Sequence, residues 1–272
     1  MRTPAFPNVP QSVAGPLSPG THSFRLGGIT QRYHVHGTGP VCVAHPGGPG
    51  LFWDYLRMAA LEECLTMVYV EPIGTGESGR LPSHPHGYTY DRYSRFLQVL
   101  INRLHLPEVH LLGHGHGARV AAHHALHRPE RLAGVILHEG EPVRGMRYAE
   151  PRAVYISGLD ERLSPTAADD PADLRAVTVP TLVIAGRHEL FRGRGRDREP
   201  YEVFPESRPQ PIERGGRPGP VQDRECFSRA VRDFVRRTGG KGVPAAEARR
   251  GRAGGAVDRR AGALRLVPKL PE

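Results

Sequence analysis

The sequence predicts an α/β protein built on a mostly parallel sheet wound on both faces. Three observations carry that expectation. Short apolar runs recur along the chain, at Val41–Ala44, Thr66–Val70, Val109–Leu112, Leu132–Leu137 and Thr181–Ala185. Stretches with helical spacing lie between several of them. Glycine-rich turns stop the runs, notably 45–50, 71–79 and 113–117. Buried strands alternating with helices in this way make a parallel sheet covered on both sides.

Taken in order, residues 1–20 are rich in proline and glycine and predict an irregular segment. Gln31–His36 alternates as an edge strand does. Val41–Ala44 ends in His45-Pro46-Gly47-Gly48-Pro49-Gly50, a strand stopped by a turn. Phe52–Glu63 has helical spacing, and Thr66–Val70 is a buried strand. Tyr90–Leu104 places Tyr93, Phe96, Leu97, Leu100 and Leu104 on one helical face. Val109–Leu112 is a strand, Gly113–Gly117 a tight turn and Ala118–Leu126 an alanine-rich helix that ends before Pro129. Leu132–Leu137 and Thr181–Ala185 are strands, Gln210–Arg214 a weaker one. Arg224–Arg236 is a helix with Phe227, Ala230, Val231 and Phe234 on one face. The expected organisation is one domain over 21–237, a low-period segment at 138–179 inside it, and a basic disordered tail at 238–272.

Composition excludes several function classes. No run of about 18 apolar residues exists to form a membrane span. The start, MRTPAFPNVP, lacks the apolar core of a secretory signal, so a cytoplasmic protein is expected. Cys42, Cys64 and Cys226 are odd in number and widely spaced, which favours neither a disulfide framework nor a zinc site. The net charge is +9, but 238–272 holds eight Lys/Arg against three acids, so +5 of it sits in the tail. Neither that tail nor the run Arg192, Arg194, Arg196 and Arg198 interleaves aromatic residues, which argues against a nucleic-acid partner. Nothing in the sequence speaks to the oligomeric state.

Between a strand and a helix lies Leu111-Leu112-Gly113-His114-Gly115-His116-Gly117. Serine hydrolases of the α/β-hydrolase fold place their nucleophile elbow, G-x-S-x-G, at such a junction. With Gly47-Gly48-Pro49-Gly50 and Pro72-Ile73-Gly74-Thr75-Gly76-Glu77-Ser78, the chain resembles the proline-iminopeptidase-like branch of the α/β hydrolases from about Thr30 to Arg236. Glu71 stands where that branch has an aspartate. The resemblance implies an α/β-hydrolase fold whose catalytic positions can be read one by one.

The elbow serine aligns with Gly115, which has no oxygen to attack a carbonyl. Gly186-Arg187-His188-Glu189 resembles the family's G-R-H-D and puts Glu189 at the acid position. The base histidine aligns with Arg217; arginine stays protonated, and no histidine follows His188. The oxyanion hole implied by the family uses the backbone N–H groups of His116 and of Gly47 or Gly48. Losing the serine of such a triad costs about 10⁶ in turnover. Oxyanion donors and binding retain roughly 10³–10⁴ over water. The family's helical cap is also reduced, because only about 40 residues separate the strands that flank it.

Other candidates are weaker. His45 and His114 flank the implied pocket, His45 as a base or as a support for its turn. His123 and His127 have the i, i+4 spacing of paired zinc ligands but lack the glutamate of H-E-x-x-H, so no metal or other cofactor is expected. Ser78 reads as a turn residue bonded to nearby backbone. Three functions remain open: a relative that has lost hydrolysis and keeps a remnant pocket for a small molecule or peptide; a residual or unconventional hydrolase; and a non-hydrolytic enzyme such as an epimerase, lyase or cyclase.

Overall fold

A computed structural model describes residues 15–47, 51–138, 171–186, 207–212 and 224–239. Its centre is an eight-stranded sheet. The strands are β1 (Gly20–Leu26), β2 (Ile29–His36), β3 (Val41–His45), β4 (Thr66–Glu71), β5 (Val109–His114), β6 (Leu132–His138), β7 (Thr181–Gly186) and β8 (Ser207–Ile212). They lie in the order β1-β2-β4-β3-β5-β6-β7-β8. The first two pairings, β1 with β2 and β2 with β4, are antiparallel, and all the others are parallel.

Period-two alternation divides the core between the two faces. Val43, Val68, Val70, Leu111, Val135, Leu137 and Val183 pack on one side with α2 (Tyr90–Arg103) and α3 (His116–His127). Cys42, Ala44, Met67, Tyr69, Leu112, Ile136, Leu182 and Ile184 pack on the other. There they meet α1 (Ala59–Glu62) and α5 (Arg224–Thr238), the latter through Phe227, Val231, Phe234 and Val235. A further short helix, α4, spans Pro171–Leu174. The inner parallel strands β3, β4, β6 and β7 are largely apolar because helices cover the sheet on both sides. The start of α2 is set by Thr89, whose side chain accepts the N–H of Arg92 at 3.1 Å. Among the described residues, no helix is long and apolar enough to cross a membrane.

Four expectations need correction. Gln31–His36 is not an edge strand: β2 lies between β4 and β1, and β1 is the edge. Only Phe24 of β1 is buried, so apolar alternation could not reveal it. Gly27-Gly28 between two alternating runs was the available hairpin signal. Secondly, Phe52–Glu63 is not one helix but a 3₁₀ turn at Asp54–Leu56 followed by the single turn of α1. Thirdly, the turn expected over 113–117 shrinks to Gly115 alone, since β5 runs through His114 and α3 begins at His116. Finally, β8 begins three residues before the predicted strand, with Pro209 and Pro211 inside it. A proline has no N–H to give a ladder, and among the described residues β8 pairs only with β7.

Candidate active site

The junction of β5 and α3 is closely packed. Gly115 turns it with φ 51° and ψ −115°, a region that costs most residues about 1–3 kcal/mol. Its N–H donates to the carbonyl of His138 at 2.8 Å, tying the junction to the end of β6. Gly117, one turn into α3, lies so close to the carbonyls of His45 and Pro46 that a Cβ would overlap them. The end of β3 is thereby pressed against the start of α3.

Gly47 follows β3 and closes over the elbow. Its carbonyl accepts the N–H of His116 at 3.1 Å. Its own N–H donates to Tyr55 Oη at 2.5 Å, and the Tyr55 hydroxyl lies 2.7 Å from His114 Nδ1. A Cβ on Gly115 would sit 2.8 Å from the Gly47 oxygen and 3.3 Å from its Cα. The place where a nucleophile side chain begins is therefore taken by a carbonyl. Of the N–H groups expected to face a developing oxyanion, those of Gly47 and His116 are bonded inside the protein, while Gly48, the alternative to Gly47, lies outside the described residues. With no side chain at 115, Gly47 can approach the elbow this closely.

Sheet alternation separates the histidines of this region. His114 and His138 are register partners on β5 and β6, with ring centroids 5.1 Å apart. His138 Nδ1 bonds to the carbonyl of Ile184 at 3.0 Å, and its ring packs on Phe227. His45 points to the opposite face, almost wholly buried, with Nδ1 3.2 Å from the carbonyl of Pro46 and the Tyr93 ring edge-on. Burial lowers its pKa to about 4, against a small opposing effect from that carbonyl. His116 packs between Tyr90 and Tyr93, and burial, with help from His45 and Arg119, holds its pKa well below the ordinary value. His45 thus packs beneath the turn, against Pro46 and Tyr93. Glu189, Arg217 and Gly48 lie outside the described residues, as does most of 138–179.

Two contributors escaped sequence reasoning. Tyr55 bridges Gly47 and His114 from a 3₁₀ turn that was read as plain helix. Replacing it with Phe should leave a half-buried N–H without its acceptor and destabilise the protein by about 1 kcal/mol in urea unfolding; an unchanged midpoint would refute the bridge. The second is the carboxylate of Glu71. One oxygen accepts the N–H groups of Glu77 and Ser78, the latter at 3.1 Å, and the other lies 3.0 Å from His34 Nε2. Burial alone would raise this carboxyl, but the bonds from His34, Glu77 and Ser78 outweigh it and hold the group below its usual range. Ser78 Oγ donates to the carbonyl of Glu71 at 2.6 Å and accepts from Arg32 N–H at 2.9 Å. It therefore reaches across to β2 as well as along its own turn.

Comparison with known proteins agrees with this architecture. The family model described as alpha/beta hydrolase fold matches residues 40–157. A proline iminopeptidase of Heyndrickxia coagulans is 34% identical over 108 residues, which cover 39% of this chain and 37% of that protein. The chain thus aligns with little more than a third of that relative's length. A Stutzerimonas stutzeri protein named for carbamate hydrolysis, RutD, is 24% identical over 240 residues, covering 70% of this chain and 88% of its own. The solved meta-cleavage product hydrolase of Pseudomonas fluorescens IP01 superposes with a TM-score of 0.65 at 19% identity, over 79% of this chain and 97% of its own. Sheet order, the strand–glycine–helix elbow and these matches together make this chain a protein of the α/β-hydrolase fold.

Proposed function

We propose that this chain has lost acyl transfer at the elbow and keeps that junction as a closed structural joint. One observation carries the reading: the Gly47 carbonyl lies where a side chain on residue 115 would start, and the N–H groups of Gly47 and His116 are already bonded. Glycine at 115 offers no nucleophile, and the Gly47 and His116 N–H groups, being bonded, are not free to receive an oxyanion. The relatives named above are a proline iminopeptidase, a protein named for carbamate hydrolysis and a meta-cleavage product hydrolase. We keep binding of a small molecule or peptide as the remaining role.

The test is turnover of short p-nitrophenyl esters and prolyl anilides by the purified protein. The elbow should contribute nothing, so the rate should not exceed that of a Gly115→Ala control whose folding is verified by circular dichroism. A rate that the control abolishes would show that the elbow still works and overturn the proposal.

A further inference from the structure

Away from the elbow, the first hairpin brings a hydroxyl, an imidazole and a carboxylate into line. Thr21 Oγ1 lies 2.9 Å from His34 Nδ1, and His34 Nε2 lies 3.0 Å from Glu71 Oε2. An ionised carboxylate only accepts, so Nε2 carries a proton, and in the neutral ring the Nδ1 lone pair faces the Thr21 hydroxyl. Trp53 stacks on the imidazole with centroids 4.0 Å apart and planes 16° from parallel, which fixes the ring plane. His34 and Glu71 are buried, whereas Thr21 is exposed on the sheet edge.

The hairpin register adds an orienting backbone group. Gly27 and Gly28, both with positive φ, close a two-residue turn in which Leu26 faces Ile29. Such a turn makes that flanking pair hydrogen-bonded, and bonded and non-bonded pairs then alternate. Counting back, Thr21 and His34 form a non-bonded pair. Their side chains stand at the closer of the two spacings, and the Thr21 N–H points away from β2. Because β1 is the edge strand, that N–H faces outward next to the hydroxyl.

We propose that Thr21, His34 and Glu71 form a second reactive centre that takes small activated esters, with Thr21 as nucleophile. Oγ1 attacks the ester carbonyl carbon while its proton passes to His34 Nδ1. Glu71 is a positioning residue that balances the imidazolium charge through Nε2–H. The tetrahedral oxygen receives the Thr21 N–H. Collapse breaks the bond to the leaving oxygen, which departs as an alcohol or phenol with the proton from Nδ1, leaving an O-acyl threonine. The carboxylate suits this arrangement because glutamate is one methylene longer than aspartate: one oxygen holds the turn at 77–78 while the other reaches His34.

The experiment is incubation of the full chain with p-nitrophenyl acetate, followed by peptide mass spectrometry. One acetyl group should appear on the peptide that contains Thr21. Thr21→Ser should keep the label, and Thr21→Val should abolish it; residue 21 is exposed, so both variants should fold. His34→Gln should slow labelling about 100-fold, the scale of a positioned base. Glu71→Asp still offers the turn an acceptor but falls short of the ring. It should slow labelling and move its pH profile to lower pH, a shift that loss of packing does not produce. The ring's other neighbours, Arg32 and His36 on β2, Tyr69 on β4 and Trp53, are unchanged in that variant. Acetyl groups confined to lysines, or Thr21 labelling equally fast without His34, would overturn the proposal.

Discussion

Acidification from about pH 7.5 to pH 5 is expected to remove most of the stability of this protein. Four histidines are held neutral by burial. His45, His110 and His124 are lowered to about 4, and His116 well below its ordinary value. Arg128 adds to the burial effect at His124, against a hydrogen bond that the ring donates to Ser94, and His45 and Arg119 add to it at His116. A folded-state pKa below the unfolded one, near 6.5, means that the unfolded chain binds more protons. Stability is therefore complete above that value and is lost as pH falls from 6.5 towards 4. Each of the three rings lowered to about 4 forfeits about 2 kcal/mol by pH 5, about 6 kcal/mol together, with His116 acting in the same direction, against a typical total of about 5–15 kcal/mol. Thermal melts followed by circular dichroism across this range check the expectation. His124→Gln, which can still bond Ser94, should flatten the profile, and a melting temperature constant down to pH 5 would rule the account out.

Restoring the family's serine should cost stability and return no activity. The hydroxymethyl group of Gly115→Ser begins 2.8 Å from the Gly47 oxygen, at a φ of 51°. Backbone strain and overpacking together come to about 3 kcal/mol. In a chain of this size that lowers the melting temperature by roughly 10 °C. Hydrolysis should remain absent, because a serine without a base is a poor nucleophile and no histidine follows His188. A Gly115→Ser protein as stable as the parent would show that the loop after β3 yields freely. One that also hydrolyses p-nitrophenyl butyrate would show that another base reaches the elbow.

Much of the fold was legible because burial writes itself into local pattern. β3, β4, β5, β6 and β7 are largely apolar, so their runs stand out from any other segment of the chain. α2 and α5 were legible for the converse reason, each burying one stripe. β1 was not, because an edge strand with a single buried side chain carries almost no apolar signal. β8 was hidden by prolines that its edge position tolerates. The region after β3 was misread because helical spacing says nothing about length: a chain closing over an elbow is bent by its contacts with Tyr55 and His114, not by its own periodicity.

At the candidate site the division falls elsewhere. Glycine at 115 and the lack of a histidine after His188 are matters of residue identity, and chemistry follows from them without coordinates. Whether Gly47 stands away from the elbow or lies on it depends on the space left by a missing side chain, which only packing in three dimensions resolves. Thr21, His34 and Glu71 are likewise unremarkable as letters. Their alignment arises from a two-residue turn that sets one register and an antiparallel pairing that sets another. Identity decides locally which atoms exist; the partners each atom meets are set by contacts between segments far apart in the chain, and those appear only once the sheet has closed.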